Sequence, residues 1–509
     1  MEKLTIGDMA VFCKRKGFVY PNSEIYGGLS GFWDFGHLGV ELKNNIKSEW
    51  WKFHVQGRED IVGIDGSIIT HPKVWEASGH VENFEDIMLT CSKCKEKIRA
   101  DHFIQEKLNV NVEGNSSEKI DDMIKKNKLK CPKCGSFFKD VKNFNLMFET
   151  NVGPKEDKSD VAYLRPETAQ VIFTDFKLVA DNARLKLPFG IAQIGKGFRN
   201  EISPRDFLFR CREFDMMEIE YFVHPDRNEC PYIKEVLNQE LNFYSADMQE
   251  KRKKPLLMKA KDALRRKLIS EWHAYWLATE QKWFTNLGAK SENFRVRQHL
   301  KKEKSHYALD TWDLEYNFPF GWKELQGIAN RTDFDLQQHM QASGKDLRIY
   351  DEETKDKTIP HVIAEPSLGV ERAFLVFMFD AYTYDKKRGN VVLKLHPKLA
   401  PYKAAIFPLV SNKPQLTKKA KEVYDNLKKY FNVFYDGSGS IGRRYARQDE
   451  IGTPLCITID FDSIKKDDVT IRERDTTKQV RVKIKELGHK LWEYNEGAKL
   501  DNLGKKILK

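Results

Sequence analysis

Hydrophobic and polar positions change their period several times along the chain, and each change predicts a different element. Residues 38–54 have helical spacing, whereas 60–65 and 68–72 alternate as two strands, the second of which is stopped by Pro72. Residues 144–224 return to a pattern of strands and turns. The N-terminal part is therefore expected to combine helices with a sheet.

The middle of the chain carries two further patterns. Residues 234–298 hold lysine- and tryptophan-bearing segments with helical spacing, interrupted at Pro255, which predict a helical insertion packed on the core. Strand patterns resume at 311 and continue to 366, and 369–384 predicts a strongly apolar helix. The longest apolar run is far too short to cross a bilayer, so no membrane association is expected.

The C-terminal part alternates short buried strands with helices. Strands are predicted over 404–410, 432–435 and 455–460, and helices over 418–430 and around 443–448. Strands that alternate with helices in this way predict a separate α/β domain.

Charged side chains follow one face of a predicted hairpin at residues 190–223. Gln193 and Arg199 share a face of its first strand, and Phe214, Glu218 and Glu220 share a face of its second. An arginine fork suits phosphate, and a neighbouring aromatic ring can stack on a base. On its own, the alternation is also what a hairpin with a solvated outer face would have.

A second candidate lies where a predicted strand ending at Pro366 runs into the apolar helix. Gly369 allows close approach, and Arg372 sits in the first turn, so the helix N-terminus and this arginine together present positive charge to an anion. An arginine in a first helical turn is not specific as a lone motif.

Four of the eight cysteines form two C-x-x-C pairs, Cys91 with Cys94 and Cys131 with Cys134. In a reducing compartment such pairs favour zinc over disulfides, and four thiolates suit a tetrahedral site. A degenerate site or free thiols are the alternatives. The polar insert between the two pairs must loop out.

Composition narrows the class of protein. Hydrophobic residues make up 40% and charged residues 32% of 509 residues, which is a globular balance for two to four domains. The N-terminus lacks an apolar stretch of signal-peptide length, so a cytoplasmic location is expected. The net charge of +11 fits a polyanionic partner, although a lysine-rich, well-solvated surface gives the same balance.

Together the hairpin and the N-terminus of the apolar helix resemble motifs 2 and 3 of the class II aminoacyl-tRNA synthetases. The amino-acid sequence of these stretches is more similar still to glycyl-tRNA synthetases of the homodimeric type. The resemblance covers nearly the whole chain in order. Its stretches are 74–80 (VWEASGH), 163–170 (YLRPETAQ), 198–205 (FRNEISPR), 212–214 (REF), 321–325 (GWKEL), 327–333 (GIANRTD), 365–372 (EPSLGVER) and 439–454 (GSIGRRYARQDEIGTP).

The resemblance implies an α+β fold. A class II synthetase antiparallel sheet flanked by helices would carry insertions, one of them zinc-ribbon-like, and a C-terminal α/β anticodon-binding domain would follow. Pro72 matches the proline of motif 1, the dimer-interface element. The expected segments are residues 1–90 (core with motif 1), 91–143 (zinc-ribbon-like insertion), 144–230 (core with motif 2), 231–305 (helical insertion), 306–398 (core with motif 3) and 399–509 (anticodon-binding domain).

The resemblance also assigns roles in ATP binding. Arg199 matches the arginine that holds the α-phosphate and the amino-acid carboxylate, Arg372 the arginine on the γ-phosphate, and Phe214 the ring that stacks on adenine. Glu324 and Leu325 match the pair preceding the metal site, where Mg²⁺ bridges phosphates, and Arg199, Arg372 and Glu324 form the expected catalytic set. The full ATP set is Arg199, Asn200, Glu201, Phe209, Arg210, Cys211, Arg212, Glu213, Phe214, Glu324, Leu325, Gly369, Val370, Glu371 and Arg372.

Glycine offers no side chain to grip, so a pocket that selects it must exclude a methyl group and hold the ammonium, for which clustered carboxylates are suited. Clustered acids are more often a solvated rim, but the motifs match Glu167, Glu218, Glu365 and Ser367 to the lining of this pocket. The full glycine set is Arg99, Glu167, Phe214, Asp215, Met216, Met217, Glu218, Glu365, Pro366, Ser367, Leu368 and Gly369.

The C-terminal resemblance places Arg443, Arg444, Tyr445 and Arg447 at the tRNA anticodon, where cations and an aromatic ring suit unstacked bases. A solvated helix face is the alternative for any one of them. The implied reaction is ATP-dependent formation of glycyl-adenylate followed by transfer to the 3′-terminal adenosine of tRNA(Gly). A synthetase-like protein without catalysis, or an enzyme for another amino acid, are minor alternatives, because the phosphate arginines and the acids are retained.

Overall fold

The structure is a computed structural model that describes residues 4–110, 112, 115–153, 161–227, 229–304 and 308–507. The expected domain boundary at residues 305–306 lies outside the described residues, and so do residues 1–3 and 508–509 of the expected terminal segments. Within the described residues, no helix is both long and apolar enough to span a membrane.

Helices and strands alternate throughout the described chain. The helices are α1 (Ile6–Lys16), α2 (His37–Trp51), α3 (Pro72–Ala77), α4 (His80–Asn83), α5 (Ala100–Leu108), α6 (Ser117–Lys126), α7 (Ala169–Ala183), α8 (Ala246–Glu250), α9 (Ala260–Arg265), α10 (Glu271–Asn286), α11 (Phe334–Ser343), α12 (Val370–Ala381), α13 (Pro414–Leu427), α14 (Ile441–Ile451), α15 (Phe461–Lys466) and α16 (Leu487–Asn495). The strands are β1 (Val19–Pro21), β2 (Trp33–Phe35), β3 (Ile61–Ile64), β4 (Ile69–Thr70), β5 (Glu85–Cys91), β6 (Lys97–Arg99), β7 (Phe138–Asn145), β8 (Phe148–Asn151), β9 (Val161–Leu164), β10 (Phe189–Phe198), β11 (Glu213–Val223), β12 (Glu240–Tyr244), β13 (Leu256–Lys259), β14 (Phe294–Gln298), β15 (Asp310–Phe318), β16 (Gly321–Asn330), β17 (Ile349–Asp351), β18 (Asp356–Thr358), β19 (His361–Gly369), β20 (Tyr382–Asp385), β21 (Asn390–Leu393), β22 (Ala404–Pro408), β23 (Val433–Tyr435), β24 (Leu455–Ile459), β25 (Asp468–Glu473), β26 (Gln479–Lys483) and β27 (Lys505–Lys506).

A nine-stranded sheet forms the centre of the protein, in the order β13-β12-β14-β15-β16-β19-β11-β10-β3. Six of its eight neighbouring pairs are antiparallel, and only β3–β10 and β12–β14 are parallel. The expected antiparallel core is therefore confirmed. One face is covered by α2, α10 and α12, whose apolar side chains form the main core with that face of the sheet.

The opposite face is only partly covered. Helices α7 and α11 pack over one end of β10 and β11, where Phe173, Phe176 and Leu336 form a second core with Phe189 and Phe222. Neither α7 nor α11 covers the other end of β10 and β11. An open cleft therefore remains on this face, bounded by α7 at one side.

Residues 231–305 are not the helical insertion that the spacing predicts. Helix α10 is present, but β12, β13 and β14 join the central sheet at its edge. The strands are only four or five residues long, so their alternation is weak. The helical spacing of the tryptophans in α10 is the stronger pattern in this segment. The segment therefore widens the central sheet.

Pro72 also differs from expectation, because it begins α3 and does not end a strand. Strand β4 stops at Thr70, and His71 caps the helix by accepting a hydrogen bond from the Lys73 N–H. Proline suits the first helical turn, since the N–H that it lacks would have no partner there.

The cysteine-bearing insertion is a small module with its own core. Strands β5, β6 and β7 form a three-stranded sheet, and helices α5 and α6 lie in the polar insert that is expected to loop out. Leu89, Phe103, Ile104 and Ile120 are buried together in this core.

The C-terminal part is the expected α/β domain. Its six-stranded sheet runs β23-β22-β24-β25-β26-β27, with β23, β22 and β24 parallel to one another. Helices α13 and α16 contribute Leu416, Val423 and Leu491 to its core. The four predicted elements from 404 to 448 and the strand after them all occur within a few residues of their expected bounds.

Candidate active site

The cleft is built on the hairpin of β10 and β11. Gln193 lies opposite Glu218 and Gly197 opposite Phe214, so these side chains share one face, as the alternation predicts. Met217 and Ile219 point to the other face and are fully buried in the main core. Burial of that apolar face fixes the register, since a slip by one residue would exchange the two faces.

Arg199 follows directly after the last residue of β10. Its Nε donates to the carbonyl oxygen of Pro166 at 3.1 Å, and its guanidinium carbon lies 5.4 Å from the ring centroids of both Phe84 and Phe214. Two aromatic faces hold a cation by cation–π attraction and restrict its rotamers. The arginine is therefore oriented before any ligand arrives.

Arg372 approaches from the opposite wall, in the first turn of α12. Its Nη1 donates to the backbone oxygen of Glu324 at 3.0 Å and to Oε1 of the same residue at 3.1 Å. The guanidinium carbon lies 4.7 Å from the ring centroid of Phe209. Desolvation opposes ionisation of Glu324, but Arg372, His299 and Arg199 hold its pKa below the ordinary value.

Most of the side chains predicted to bind ATP line one cleft. The lining includes both arginines and reaches Ser367 at its inner end. Its members are Arg199, Glu201, Leu208, Phe209, Arg210, Cys211, Phe214, Met216, Glu324, Leu325, Ser367, Gly369, Glu371 and Arg372.

Four members of the predicted ATP set are placed outside this lining. The Asn200 N–H donates to the Leu146 oxygen, and Arg212 donates to backbone oxygens of Ser30 and Glu201. Glu213 pairs with Lys196, and Val370 is fully buried. Arg212 thus holds the loop that carries Arg199, while its own charge is turned away from the cleft.

The acids expected to bind glycine lie next to Ser367, a member of the cleft lining. Glu218 accepts hydrogen bonds from the Thr168 N–H at 2.7 Å and the Ser367 hydroxyl at 2.5 Å. Glu167 lies 3.3 Å from Nε2 of His80 and accepts from Gln170. The sequence motifs therefore bring Glu167, Glu218 and Ser367 to one place.

Glu365 completes this group from the neighbouring strand β19. Its Oε1 accepts from Nη1 of Arg331 at 2.7 Å, and Arg331 also makes two hydrogen bonds to Asp335. All three residues are buried. Sequence reasoning missed Arg331 and Asp335, although Arg331 lies within the quoted stretch 327–333 and Asp335 follows it at the i, i+4 spacing of a helical ion pair.

The electrostatics of these acids differ from one residue to the next. Desolvation and the charge of Glu167 raise the pKa of Glu218. Desolvation also raises the pKa of Glu365 to about 8, against the effect of Arg331. Burial disfavours the charged form of Glu167 as well, but His80 and Arg331 bring its pKa below the ordinary value. A pocket of this kind gains stability from an incoming cation.

Other members of the predicted glycine set lie elsewhere. Asp215, Met217, Pro366 and Leu368 alternate to the opposite face of their strands, where Met217 and Leu368 belong to the main core. Asp215 pairs with Lys43 and Lys47, and although burial acts against it, these lysines lower its pKa to about 2. Any contact of these four with a ligand in the cleft would be through the backbone.

Arg99 has acidic partners outside the predicted glycine set. It ends β6 of the cysteine-bearing module and forms ion pairs with Asp86 at 2.7 Å and Asp101 at 2.8 Å. The structure therefore does not bring Arg99 together with Glu218 and Glu365 through any contact among the described residues.

The four paired cysteines form a compact cluster. Their Sγ atoms all lie within 4.8 Å of one another, with Cys91 and Cys134 at 3.4 Å and Cys94 and Cys131 at 3.7 Å. Four thiolates around a metal with 2.3 Å bonds would be separated by about 3.8 Å. The donor set and spacing could thus hold a metal ion.

The residues predicted at the anticodon divide into two pairs along α14. Arg443 and Arg447 are exposed, one turn apart. Arg444 is buried and donates to backbone carbonyl oxygens of Pro408, Leu409, Asp436 and Gly439. Adjacent helical positions face different directions. Arg444 is therefore a structural residue and not, as expected from the sequence, a free group for the anticodon.

Tyr445 is likewise engaged within the domain. Its hydroxyl is 2.7 Å from Oγ1 of Thr458, and the guanidinium carbon of Arg472 lies 4.8 Å from its ring centroid. Neither its hydroxyl nor this face of its ring is available to a base.

Family models match both parts of the chain. The class II tRNA synthetase core domain of the G, H, P, S and T type matches residues 148–381, and the anticodon binding domain matches residues 403–494. Among solved structures, the prolyl-tRNA synthetase of Cryptosporidium parvum superimposes with a TM-score of 0.55 at 15% identity, covering 96% of this chain and 75% of that one. This likeness supports the fold alone.

Curated relatives extend over nearly the full length. Glycine–tRNA ligase of Caldanaerobacter subterraneus subsp. tengcongensis is 48% identical, with 95% of this chain and 96% of the relative covered. The glycine–tRNA ligases of Geobacillus kaustophilus and Clostridium kluyveri are 47% and 46% identical, each with 95% of this chain and 97% of the relative covered. With the core and anticodon domains in the same order, this chain belongs to the glycine–tRNA ligase family of class II aminoacyl-tRNA synthetases.

Proposed function

We propose that this chain ligates glycine to tRNA(Gly) in two steps, first forming glycyl-adenylate from glycine and ATP and then transferring the glycyl group to the 3′-terminal adenosine. One observation carries the proposal: Arg199 and Arg372 line opposite walls of a cleft whose lining includes Ser367, and the Ser367 hydroxyl donates to the carboxylate of Glu218. A triphosphate and an ammonium group need opposite charges, and the cleft offers both.

Arg199 holds the α-phosphate and the glycine carboxylate while that carboxylate attacks. The nucleophile is already an anion, so the step needs no general base, and the arginine acts by stabilising the negative charge that develops at phosphorus. Its placement between Phe84 and Phe214 supports this role, because a preorganised cation does not have to be reoriented during the reaction. Phe214 also offers a ring to the adenine.

Arg372 and Glu324 serve the outer phosphates. Class II synthetases use ATP with Mg²⁺, and Glu324 is a side-chain carboxylate in the cleft with a pKa below its ordinary value, which fits a magnesium ligand. The bound ion would neutralise phosphate charge. Arg372, already hydrogen-bonded to Glu324, holds the γ-phosphate beside it.

Glycine is selected at the inner end of the cleft. Glu167, Glu218 and Glu365 supply carboxyl groups for its ammonium, whose charge favours their ionised form, and Ser367 narrows the site. Thr168 and Ser367 tie down the Glu218 carboxylate, which leaves little freedom for the pocket to widen around a methyl group. A rigid, small pocket supports discrimination against alanine.

The cysteine cluster is a structural zinc site in this proposal. Cys91, Cys94, Cys131 and Cys134 supply four sulfur ligands at tetrahedral spacing, and they connect the ends of β5 and the segment before β7. The site leaves no open coordination position, so its effect is to stabilise the module that packs beside the motif 2 loop. Arg99 belongs to this module on the substrate side.

For tRNA recognition, the exposed pair Arg443 and Arg447 is the part of the predicted anticodon set that supports contact with phosphates or bases. Arg444 and Tyr445 hold the helix that presents them.

Three further assignments rest on the resemblance. The enzyme is a homodimer of the α2 type, it acts in the cytoplasm, and its segments are 1–90, 91–143, 144–230, 231–305, 306–398 and 399–509. Support for the dimer comes from β3, an edge strand of the central sheet just before the motif 1 match at Pro72. Light scattering after gel filtration measures the oligomeric state directly.

The test is glycine-dependent exchange of pyrophosphate into ATP. We expect exchange with glycine and none with alanine, and a loss of about 10²- to 10³-fold in Arg199→Ala, the size typical for removing one such charge-stabilising group. Arg265→Ala is the matched control, since that side chain is 77% exposed and pairs only with Asp262 among the described residues. Absence of exchange with glycine, or full exchange in Arg199→Ala, contradicts the proposal.

A further inference from the structure

A fifth acid lies in the interior beside the glycine pocket and has no part in the scheme above. Glu220 is two residues after Glu218 on β11, on the same face, and has 0% exposure. Among the described residues, neither of its carboxylate oxygens has a hydrogen-bond partner. By contrast, Glu218 is held by Thr168 and Ser367, and Glu365 by Arg331.

Strand register places Glu220 next to Glu365. In the β11–β19 pair, Glu218 lies opposite Ser367 and Tyr221 opposite Ala364, so Glu220 and Glu365 occupy the intervening position. On the other side, Ile191 of β10 lies opposite Glu220. Glu220 therefore stands between the acids of the pocket and the apolar core under α7.

Arg331 is the cation whose charge acts on Glu220, and it is hydrogen-bonded to other acids. Glu218 lies on its own strand, Glu365 on β19, and Arg331 and Asp335 approach from the segment that follows β16. Arg331 makes two hydrogen bonds to Asp335 and one to Glu365. From α7, Phe173 packs against Phe222 and against the Arg331 guanidinium. An ionised carboxylate in such a place would be severely desolvated.

A neutral carboxyl group changes this balance, because it gains an O–H that donates a hydrogen bond. Burial, followed by the charge of Glu365, raises the pKa of Glu220 well above its ordinary value. The neighbouring Glu365 is an acceptor. A shared proton between the two carboxyl groups would satisfy one oxygen of each and remove the repulsion between them.

We propose that Glu220 is a positioning residue for glycine: a protonated acid that donates a hydrogen bond to Glu365 and holds that carboxylate toward the ammonium. The inference rests on the proposed function, since it acts through the acid assigned to the ammonium. In this arrangement two hydrogen bonds orient the Glu365 carboxylate, one from the neutral Glu220 and one from Arg331.

Two variants of the full-length enzyme separate this role from packing and from charge. Glu220→Gln keeps a neutral side chain of the same shape with N–H donors, whereas Glu220→Met keeps length and volume but has no donor. We expect the KM for glycine in pyrophosphate exchange to stay within about twofold of wild type in Glu220→Gln. In Glu220→Met it should rise about tenfold, with the KM for ATP unchanged, because a hydrogen bond to a charged group is lost.

The outcomes are distinct. If Glu220→Gln raises the glycine KM as much as Glu220→Met, a negative charge is needed at Glu220 and the inference is wrong. If Glu220→Met leaves the KM unchanged, Glu220 only fills space and the inference is also wrong. Thermal melts verify folding, and should Glu220→Met not fold, the glycine KM of Glu220→Gln alone decides. A wild type that exchanges no glycine refutes the proposed function instead.

Discussion

Arg331 and Glu365 are joined by a hydrogen bond of 2.7 Å between Nη1 and Oε1, and both side chains are buried. The same guanidinium binds Asp335 through its other two nitrogens. One cation thus compensates two buried acids, which links the stability of the core to the charge of the glycine pocket.

Replacing Arg331 by methionine should be strongly destabilising, because it leaves Glu365 and Asp335 buried without their cation. Breaking a buried pair in this way typically costs about 3–5 kcal/mol in the free energy of unfolding. Urea denaturation followed by circular dichroism measures the loss. Arg348→Met is the control, since its partner Asp346 is on the surface and the pair should contribute little. A loss in Arg331→Met no larger than that of the control would contradict the assignment.

The stability of Glu220→Gln relative to wild type should depend on pH. The ordinary pKa of this side chain is 4.5, and burial followed by the charge of Glu365 raises it in the folded protein. Wild type therefore binds a proton in the folded state that the unfolded chain has released, so its stability falls as pH rises from about 5 toward the folded pKa, by up to ~1.4 kcal/mol per pH unit. Glutamine has no such loss.

Melting curves of both proteins between about pH 5.5 and pH 8 check this, and the advantage of Glu220→Gln should widen with pH. A constant difference over that range would mean that Glu220 is ionised in the folded enzyme.

Removal of the cysteine ligands should separate the two reaction steps. In Cys94→Ser we expect loss of bound zinc, measured by elemental analysis, and a lower melting temperature, because a structural metal contributes folding free energy. Transfer to tRNA should fall more than pyrophosphate exchange, since the module and not the sheet is affected. Cys456→Ser is the control, because that cysteine is buried in the C-terminal domain, away from the cluster. Equal zinc content in wild type and Cys94→Ser would refute the metal site.

The exposed and the buried arginines of α14 should respond differently to substitution. Arg443→Ala with Arg447→Ala should raise the KM for tRNA severalfold and leave pyrophosphate exchange unchanged, because both side chains are exposed. Arg444→Ala should instead lower the melting temperature, because it removes a buried donor to backbone carbonyl oxygens. Charging assays and melting curves on the same preparations distinguish the two effects. Identical behaviour of the double variant and of Arg444→Ala would contradict the assignment of Arg443 and Arg447 to tRNA and of Arg444 to packing.

Strong local patterns and motifs were the parts of this molecule that the sequence could predict. The hairpin face of Phe214 and Glu218 and the α/β C-terminal domain follow directly from alternation, and the motifs identify Arg199, Arg372 and Glu365. Strands β12 to β14 could not be predicted, because runs of four or five residues are too short to give a clear alternation.

Partners of the site residues were also beyond sequence reasoning. His80 contacts Glu167, which is 87 positions later in the chain. Arg331 contacts Glu365 because β16 and β19 are neighbouring strands. The helix α14 shows the converse limit. A motif indicates which residue types are present, but only packing decides that Arg444 points inward while Arg443 points outward.

The position of Arg199 between two aromatic rings has a consequence for how the enzyme matures. Phe84 directly precedes the cysteine-bearing module, Phe214 belongs to the central sheet, and the Asn200 N–H bonds to Leu146 just after the module ends. A chain in which the sheet has formed but the module has not would have only the Phe214 ring, and not the Phe84 ring, beside Arg199. Recovery of adenylate synthesis during refolding should therefore require docking of the module as well as formation of the sheet.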